Sequence, residues 1–176
     1  MLSALPLPAE LDAAAPAATT WTLRRATGAD LPALIALLAE DVLASGRGDT
    51  DAPEALGDYR AALDAIIADP SNEVVVAVDA HDRVGAMLQL TRIPGLARRG
   101  ATRLLIEAVR VASKHRSAGL GSAMLRWAMG PAASATGSAL VQLTSDDRRV
   151  DAHRFYERLG FIGSHRGFKH AVRPGG

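Results

Sequence analysis

The chain has 176 residues, 48% apolar and 22% charged, with a formal net charge of +1 and no cysteine. That length suits one domain with a real core, and the near-zero charge argues against nucleic acid or an anionic membrane as main partner. Without cysteine there is no disulfide, no thiolate metal site and no acyl-cysteine intermediate, so any acyl transfer passes directly from donor to acceptor or uses another nucleophile.

Residues 1–20 are rich in Ala, Pro and Leu and contain no Lys or Arg, so they lack the basic start of a secretory signal. Pro6, Pro8 and Pro16 interrupt any helix, and the segment reads as a mobile leader before a folded domain over 21–172 and a tail over 173–176. No apolar run approaches the roughly 20 residues needed to span a bilayer. The expected location is the cytoplasm.

Trp21–Arg25 reads as a first strand, and Asp30 as the cap of a helix with Leu31, Leu34, Ile35, Leu38 and Val42 on one side. Ser45–Thr50 reads as a loop. Asp51-Ala-Pro-Glu54 has the form of a capping box opening a second helix, with Tyr59, Leu63, Ile66 and Ile67 at helical spacing and a stop before Pro70. Glu73–Val78 is a β-branched run expected as a buried strand. Arg83–Thr91 gives the next strand, Gly95–Gly100 a loop, and Ala101–Ala112 a long strand.

That strand runs into Val111-Ala112-Ser113-Lys-His-Arg116-Ser117-Ala118-Gly119-Leu120-Gly121-Ser122, a basic, glycine-containing loop opening an amphipathic helix. Gly119 and Gly121 carry no Cβ to hold a ligand off their backbone N–H groups, and a helix N-terminus favours an anion. Lys114 and Arg116 add positive charge, so the chemistry implied is phosphate or pyrophosphate binding. No Lys follows either glycine, which excludes a nucleotide P-loop. Met124 stands where a dinucleotide-binding turn needs a third Gly or Ala.

A strand over Ala139–Thr144 follows, then Asp151-Ala-His-Arg-Phe-Tyr-Glu-Arg-Leu-Gly-Phe161. Ala152, Phe155 and Leu159 share one helix face, Gly160 stands as the residue just past the helix end, and a further strand is expected after it. Tyr156 lies at the edge of that face, where its ring can pack while its hydroxyl reaches a polar site.

The pattern Arg116-x-x-Gly119-x-Gly121 and the later Tyr156-x-x-x-Gly160-Phe161, in that order, resemble the two signatures of the GNAT family of N-acetyltransferases. The resemblance covers roughly residues 20–170. It implies an α/β (α+β) fold, a single domain with a mixed, mostly antiparallel sheet splayed into a V. It also implies acetyl-CoA as co-substrate, with Val111, Ala112, Ser113 and the loop from Arg116 to Ser122 holding it. The implied partners are acetyl-CoA and an amine of a small molecule, amino acid or peptide; the sequence allows a homodimer.

Acetyl transfer from a thioester to an amine needs a neutral amine, donors for the oxyanion and a proton for the leaving thiolate. Tyr156 is the candidate acid: a phenol of pKa about 10 stays protonated at rest and can protonate a thiolate whose thiol is near 8.5. The family's tyrosine at this motif position has that role. Glu107 is the candidate base; strict alternation would put it on one face with Arg103, Val109 and Val111. An ion pair with Arg103, Arg110 or another arginine is its alternative role. Val111 and Ser113 would offer backbone groups to the thioester carbonyl and pantetheine arm.

The chain departs from the family's habit at three positions. Ser113 stands where many members have Pro, Ser117 where they have Gly, and Arg149 where Asn is common; Ser145 and Asp146 are the candidates to replace that Asn. His81, His115, His153, His165 and His170 show no close metal-ligand spacing, and no metal is expected. The acids Glu40, Asp41, Asp49, Asp51, Glu54, Asp58 and Asp64, against Arg47 and Arg60, would attract a cationic amine or simply form a solvated face. The alternatives to a transferase are an acyl-CoA-binding sensor without turnover and an acyl-CoA hydrolase.

Overall fold

The structure, a computed structural model, describes residues 1–11, 20–40 and 50–172. Most of the expected Ser45–Thr50 loop, the positions Asp41, Val42, Arg47 and Asp49, and the 173–176 tail lie outside the described residues. The chain divides into two compact units, Met1–Leu143 and Thr144–Gly176.

The first unit is built on a six-stranded sheet with its strands in sequence order: β1 (Ala9–Leu11), β2 (Trp21–Arg25), β3 (Asn72–Val78), β4 (Val84–Ile93), β5 (Thr102–Val111) and β6 (Ser138–Leu143). Neighbours are antiparallel except β5 and β6, which are parallel. The result is the mixed, mostly antiparallel α/β fold that the sequence implies. A parallel pair needs a crossover, and helix α3 (Leu120–Trp127) begins it. Beyond Trp127 the crossover widens into a π-helical turn, Ala128–Ala132, because Pro131 has no N–H for the α-helical ladder.

Helices α1 (Leu31–Ala39) and α2 (Leu56–Ala68) cover one face of the sheet. Leu31, Leu34, Ile35 and Leu37 of α1 and Leu63 of α2 cluster there with Val74, Val76 and Val78 of β3, Met87 of β4 and Ala112. The alternate residues Leu23, Val75, Leu88, Leu90, Leu104 and Ile106 are fully buried on the opposite face. Burial on both faces is why β3 reads as an unbroken apolar run.

Three expectations for the first unit need correction. The leader is structured at its start: Leu2 and Leu5 are buried, and β1 pairs with β2 through Ala9–Leu23 and Leu11–Trp21. Leu2 and Leu5 supply apolar side chains that the proline count alone overlooks. Asp30 caps no α1 N–H; its carboxylate accepts from the Thr27 N–H at 2.7 Å and from Arg24 at 2.8 Å. Asp51–Glu54 forms no capping box, since the helical start is Pro53 with Ala52 before it. Thr50 instead accepts the Ala52 N–H on its hydroxyl.

The second unit contains α4 (Val150–Arg158), and no regular strand follows it among the described residues, contrary to expectation. Ile162, Phe168 and Val172 of that stretch are exposed. Gly163 and Gly167 dilute its apolar alternation and raise the entropy cost of an extended strand.

Candidate functional site

The centre of the site is the end of β5. Its pairing with β6 stops at Ile106–Leu143, while β5 itself continues to Val111. On the other side the Ala112 N–H donates to the Gly85 carbonyl at 2.9 Å across β4. Alternation therefore turns the Val111 N–H and C=O away from β4, toward the edge that β6 no longer covers. An extended chain with amide groups, such as a pantetheine arm, could pair with this edge as a further strand does.

A bulge interrupts β5 just before that edge. Ala108 takes φ 48°, and the register with β4 shifts from Gln89–Glu107 to Met87–Arg110. One extra residue reverses the alternation. Glu107 shares its face with Arg103 as expected, but Val109 and Val111 lie on the opposite face, which corrects the same-face expectation. Gln89 has the parity of Met87, so Glu107 belongs to the face that α1 and α2 cover. It is exposed and enters none of the ion pairs seen among the described residues.

The loop itself follows from its sequence. Ala112 is buried, Ser113–His115 form a single 3-10 turn, and Ser117 and Gly119 take φ 62° and 80°. Two left-handed residues let the chain fold back over its own amides, and Gly119 becomes the residue before α3. Ala118, Gly121 and Ser122 are half-buried, whereas Leu120 is anchored in the core. The first N–H groups of α3 have no partner inside the helix and suit an anion.

Arg116 and Glu40 are both part of this loop's surroundings. The Arg116 Nε donates to the Val111 carbonyl at 3.1 Å, and its Nη2 donates to Glu40 Oε2 at 3.3 Å. The same Glu40 oxygen accepts the Ser113 N–H at 2.8 Å. His115 is half-buried and turns edge-on to Trp21, with ring centroids 4.8 Å apart. Burial, and then Lys114, pushes its pKa below the ordinary imidazole value. Gly85 makes room for this packing, because a Cβ there would collide with the indole of Trp21.

In the second unit Tyr156 lies in the last turn of α4, half-buried, at 5.4 Å from the Phe155 ring and 5.9 Å from the Phe161 ring. Gly160 at φ 94° ends the helix: its N–H donates to the Glu157 carbonyl and the Phe161 N–H to the Tyr156 carbonyl. This paired closure brings Phe161 back against Tyr156, which gives the Gly-Phe of the motif a physical reason. Arg149 stands before α4, and its carbonyl accepts from the His153 N–H. His153 Nε2 lies 2.9 Å from the Asp146 carbonyl, and Arg148 binds the Asp146 carboxylate. The Ser145 hydroxyl is buried with no hydrogen-bond partner among the described residues.

Sequence reasoning missed the roles of Glu40, Trp21, Gly85 and Ala108. Glu40 is seen there only as one acid among many, since its partner Ser113 lies 73 residues away. No signal in the sequence marks the bulge. Among the described residues no group of three or more His, Cys, Asp or Glu could hold a metal ion, and no helix is long and apolar enough to cross a membrane.

Beyond its pairing with β6, β5 runs directly into the basic loop and the start of α3. The model of the Acetyltransferase (GNAT) family matches residues 36–161, and the chain belongs to that family. It is therefore of the acyltransferase class. Among solved structures the chain is similar to a transcriptional regulator from Bacillus halodurans C-125, at 39% identity and TM-score 0.81 over 86% of this chain and 99% of that one. It is also similar to an acetyltransferase of Trypanosoma brucei, at 25% identity and TM-score 0.66 over 86% and 99%. The glucosamine-6-phosphate N-acetyltransferase of Arabidopsis thaliana shares the fold at 18% identity, TM-score 0.65, over 88% and 99%. No match is found among the curated proteins.

Proposed function

We propose that the protein is an acetyl-CoA-dependent N-acetyltransferase that passes the acetyl group directly to an amine of a small molecule, amino acid or peptide. The observation that carries this reading is the stretch of β5 at Val111 that β6 does not pair, continuous with the loop from Ala112 to Ser122. Its donors and acceptors fit the ligand: backbone groups of Val111 and Ser113 for the pantetheine arm, and amides from Ser117 to Ser122 with the Arg116 guanidinium for the pyrophosphate. When bound, acetyl-CoA supplies the activated acetyl thioester.

The chain's own residues supply the rest. Glu107, exposed on the face of α1 and α2, takes the proton of the incoming ammonium, directly or through water. An alkyl amine is mostly protonated near neutral pH, so this step creates the nucleophile. Tyr156 donates its phenolic proton to the leaving thiolate, a role taken from its place in the motif. With no cysteine in the sequence, a ternary complex with direct transfer is the natural route.

A screen of amines, amino acids and peptides for release of coenzyme A tests the activity, and calorimetry with acetyl-CoA tests the site. Gly119→Asp forces a non-glycine residue to φ 80° and sets a negative charge at the anion position. The expected loss of acetyl-CoA affinity is about tenfold or more, because the new carboxylate would lie against the charge of the pyrophosphate. Undiminished affinity in a folded variant overturns the assignment.

A second reading, an acyl-CoA-binding sensor without turnover, draws on the regulator name of the 39% identical protein. Tight binding with no turnover across the screen would favour it. Acyl-CoA cleavage without added amine would instead indicate a hydrolase.

A further inference from the structure

The Glu40 carboxylate is placed where helix stability does not explain it. Glu40 is the C-cap residue just after Ala39, and an acid at a helix C-terminus is opposed by the macrodipole. What it gains is the far side of the molecule's phosphate loop: its Oε2 accepts both the Ser113 N–H at 2.8 Å and Arg116 Nη2 at 3.3 Å. Arg116 in turn donates through Nε to the Val111 carbonyl at 3.1 Å. One carboxylate and one guanidinium thus engage the Val111 C=O, the Ser113 N–H and the Arg116 charge together.

These are the groups that the reading above gives to the pantetheine arm and the pyrophosphate. We propose that Glu40 is a built-in competitor for this edge: an acyl-CoA must displace its carboxylate from Ser113 and Arg116 in order to bind, and Glu40 thereby sets the affinity and release of the cofactor. The inference rests on the coenzyme A reading of the loop. The pair is suited to displacement, because its side chains are 36% and 54% exposed and ion pairs of that kind are weak. The carboxylate also shares its sign with the phosphates, so the ligand and Glu40 exclude each other and product release is helped when Glu40 returns.

Calorimetry with coenzyme A on the full chain, on Glu40→Ala and on Glu40→Asp tests this. The alanine variant removes the competitor. The aspartate variant keeps the charge but shortens the side chain by one methylene, so it cannot hold Ser113 and Arg116 together. The expected result is that both variants bind coenzyme A about twofold to fivefold more tightly, the scale of a surface ion pair. Tighter binding by Glu40→Ala alone would show that only the removal of a nearby negative charge matters, and would overturn the proposal. Unchanged or weaker binding by both would also overturn it. If the unaltered chain and both variants all fail to bind coenzyme A, the reading of the loop fails, and this inference with it.

Discussion

Tyr156 is held by Phe155 on one side and Phe161 on the other, so its ring is fixed by packing that does not involve its hydroxyl. Tyr156→Phe keeps that packing and removes only the proposed proton donor. Turnover is expected to fall about a hundredfold, a larger effect than any change in acetyl-CoA affinity. Steady-state rates beside calorimetry check this; a joint collapse of affinity and rate would make Tyr156 a positioning residue. Glu107 offers the complementary test. Glu107→Gln is expected to slow turnover most at low pH, where free amine is scarcest, and the deficit should close as pH nears the amine's own pKa. A pH–rate profile superimposable on the unaltered chain would remove Glu107 from the mechanism. Ser117 shows a cost the chain accepts: it takes φ 62° where the family usually has glycine, a conformation that L side chains rarely adopt.

At the scale of elements, the start of α1 depends on one charged cluster. Arg24 of β2 binds both oxygens of Asp30 at 2.8 Å and reaches Asp82 through Nε, while the Thr27 N–H and hydroxyl also bond Asp30. The hydrogen bond from Arg24, then those from Thr27, hold the Asp30 carboxyl below its ordinary value against the opposing effect of burial. A depressed folded pKa means that Asp30 contributes stability above the unfolded value near pH 4, and that this contribution is lost as pH falls through the lower folded value. Asp30→Asn is therefore expected to cost about 2 kcal/mol at pH 7, with the gap to the unaltered chain narrowing below pH 4. Urea unfolding at pH 7 and pH 3 measures both. The elements themselves were largely legible, because the unbroken β-branched run of β3 and the helical spacing of α2 are local signals. The bulge at Ala108 was not, since a single residue's φ reverses the faces of Glu107 and Val111 while leaving the apolar pattern intact. Neither was the contact from Glu40 to Ser113, which depends on how distant elements pack. The two motifs were legible because each fixes backbone geometry through glycine: Gly119 before α3, Gly160 after α4.

For the molecule as a whole, the sheet order and its mixed character follow from the chain order of strands and helices, whereas the part played by the first residues does not. Leu2 is 1% and Leu5 5% exposed, the Leu2 N–H donates to the Pro70 carbonyl, and Arg25 donates to the Leu2 carbonyl. β1 then covers the outer edge of β2. A three-residue strand in a Pro-rich stretch has almost no periodicity to read, so its role appears only with its partner in place. Deleting residues 1–11 removes two buried leucines, each worth about 1.5–3 kcal/mol, so about 3–6 kcal/mol of stability should be lost as an upper figure. Against a typical total of about 5–15 kcal/mol that is a large fraction. The deletion also uncovers the β2 edge, and an unpaired strand edge invites association with another chain. The truncated protein is expected to unfold at markedly lower urea and to scatter light more at equal concentration. An unchanged urea midpoint would mean that Leu2, Leu5 and β1 contribute nothing to the core, whatever their burial.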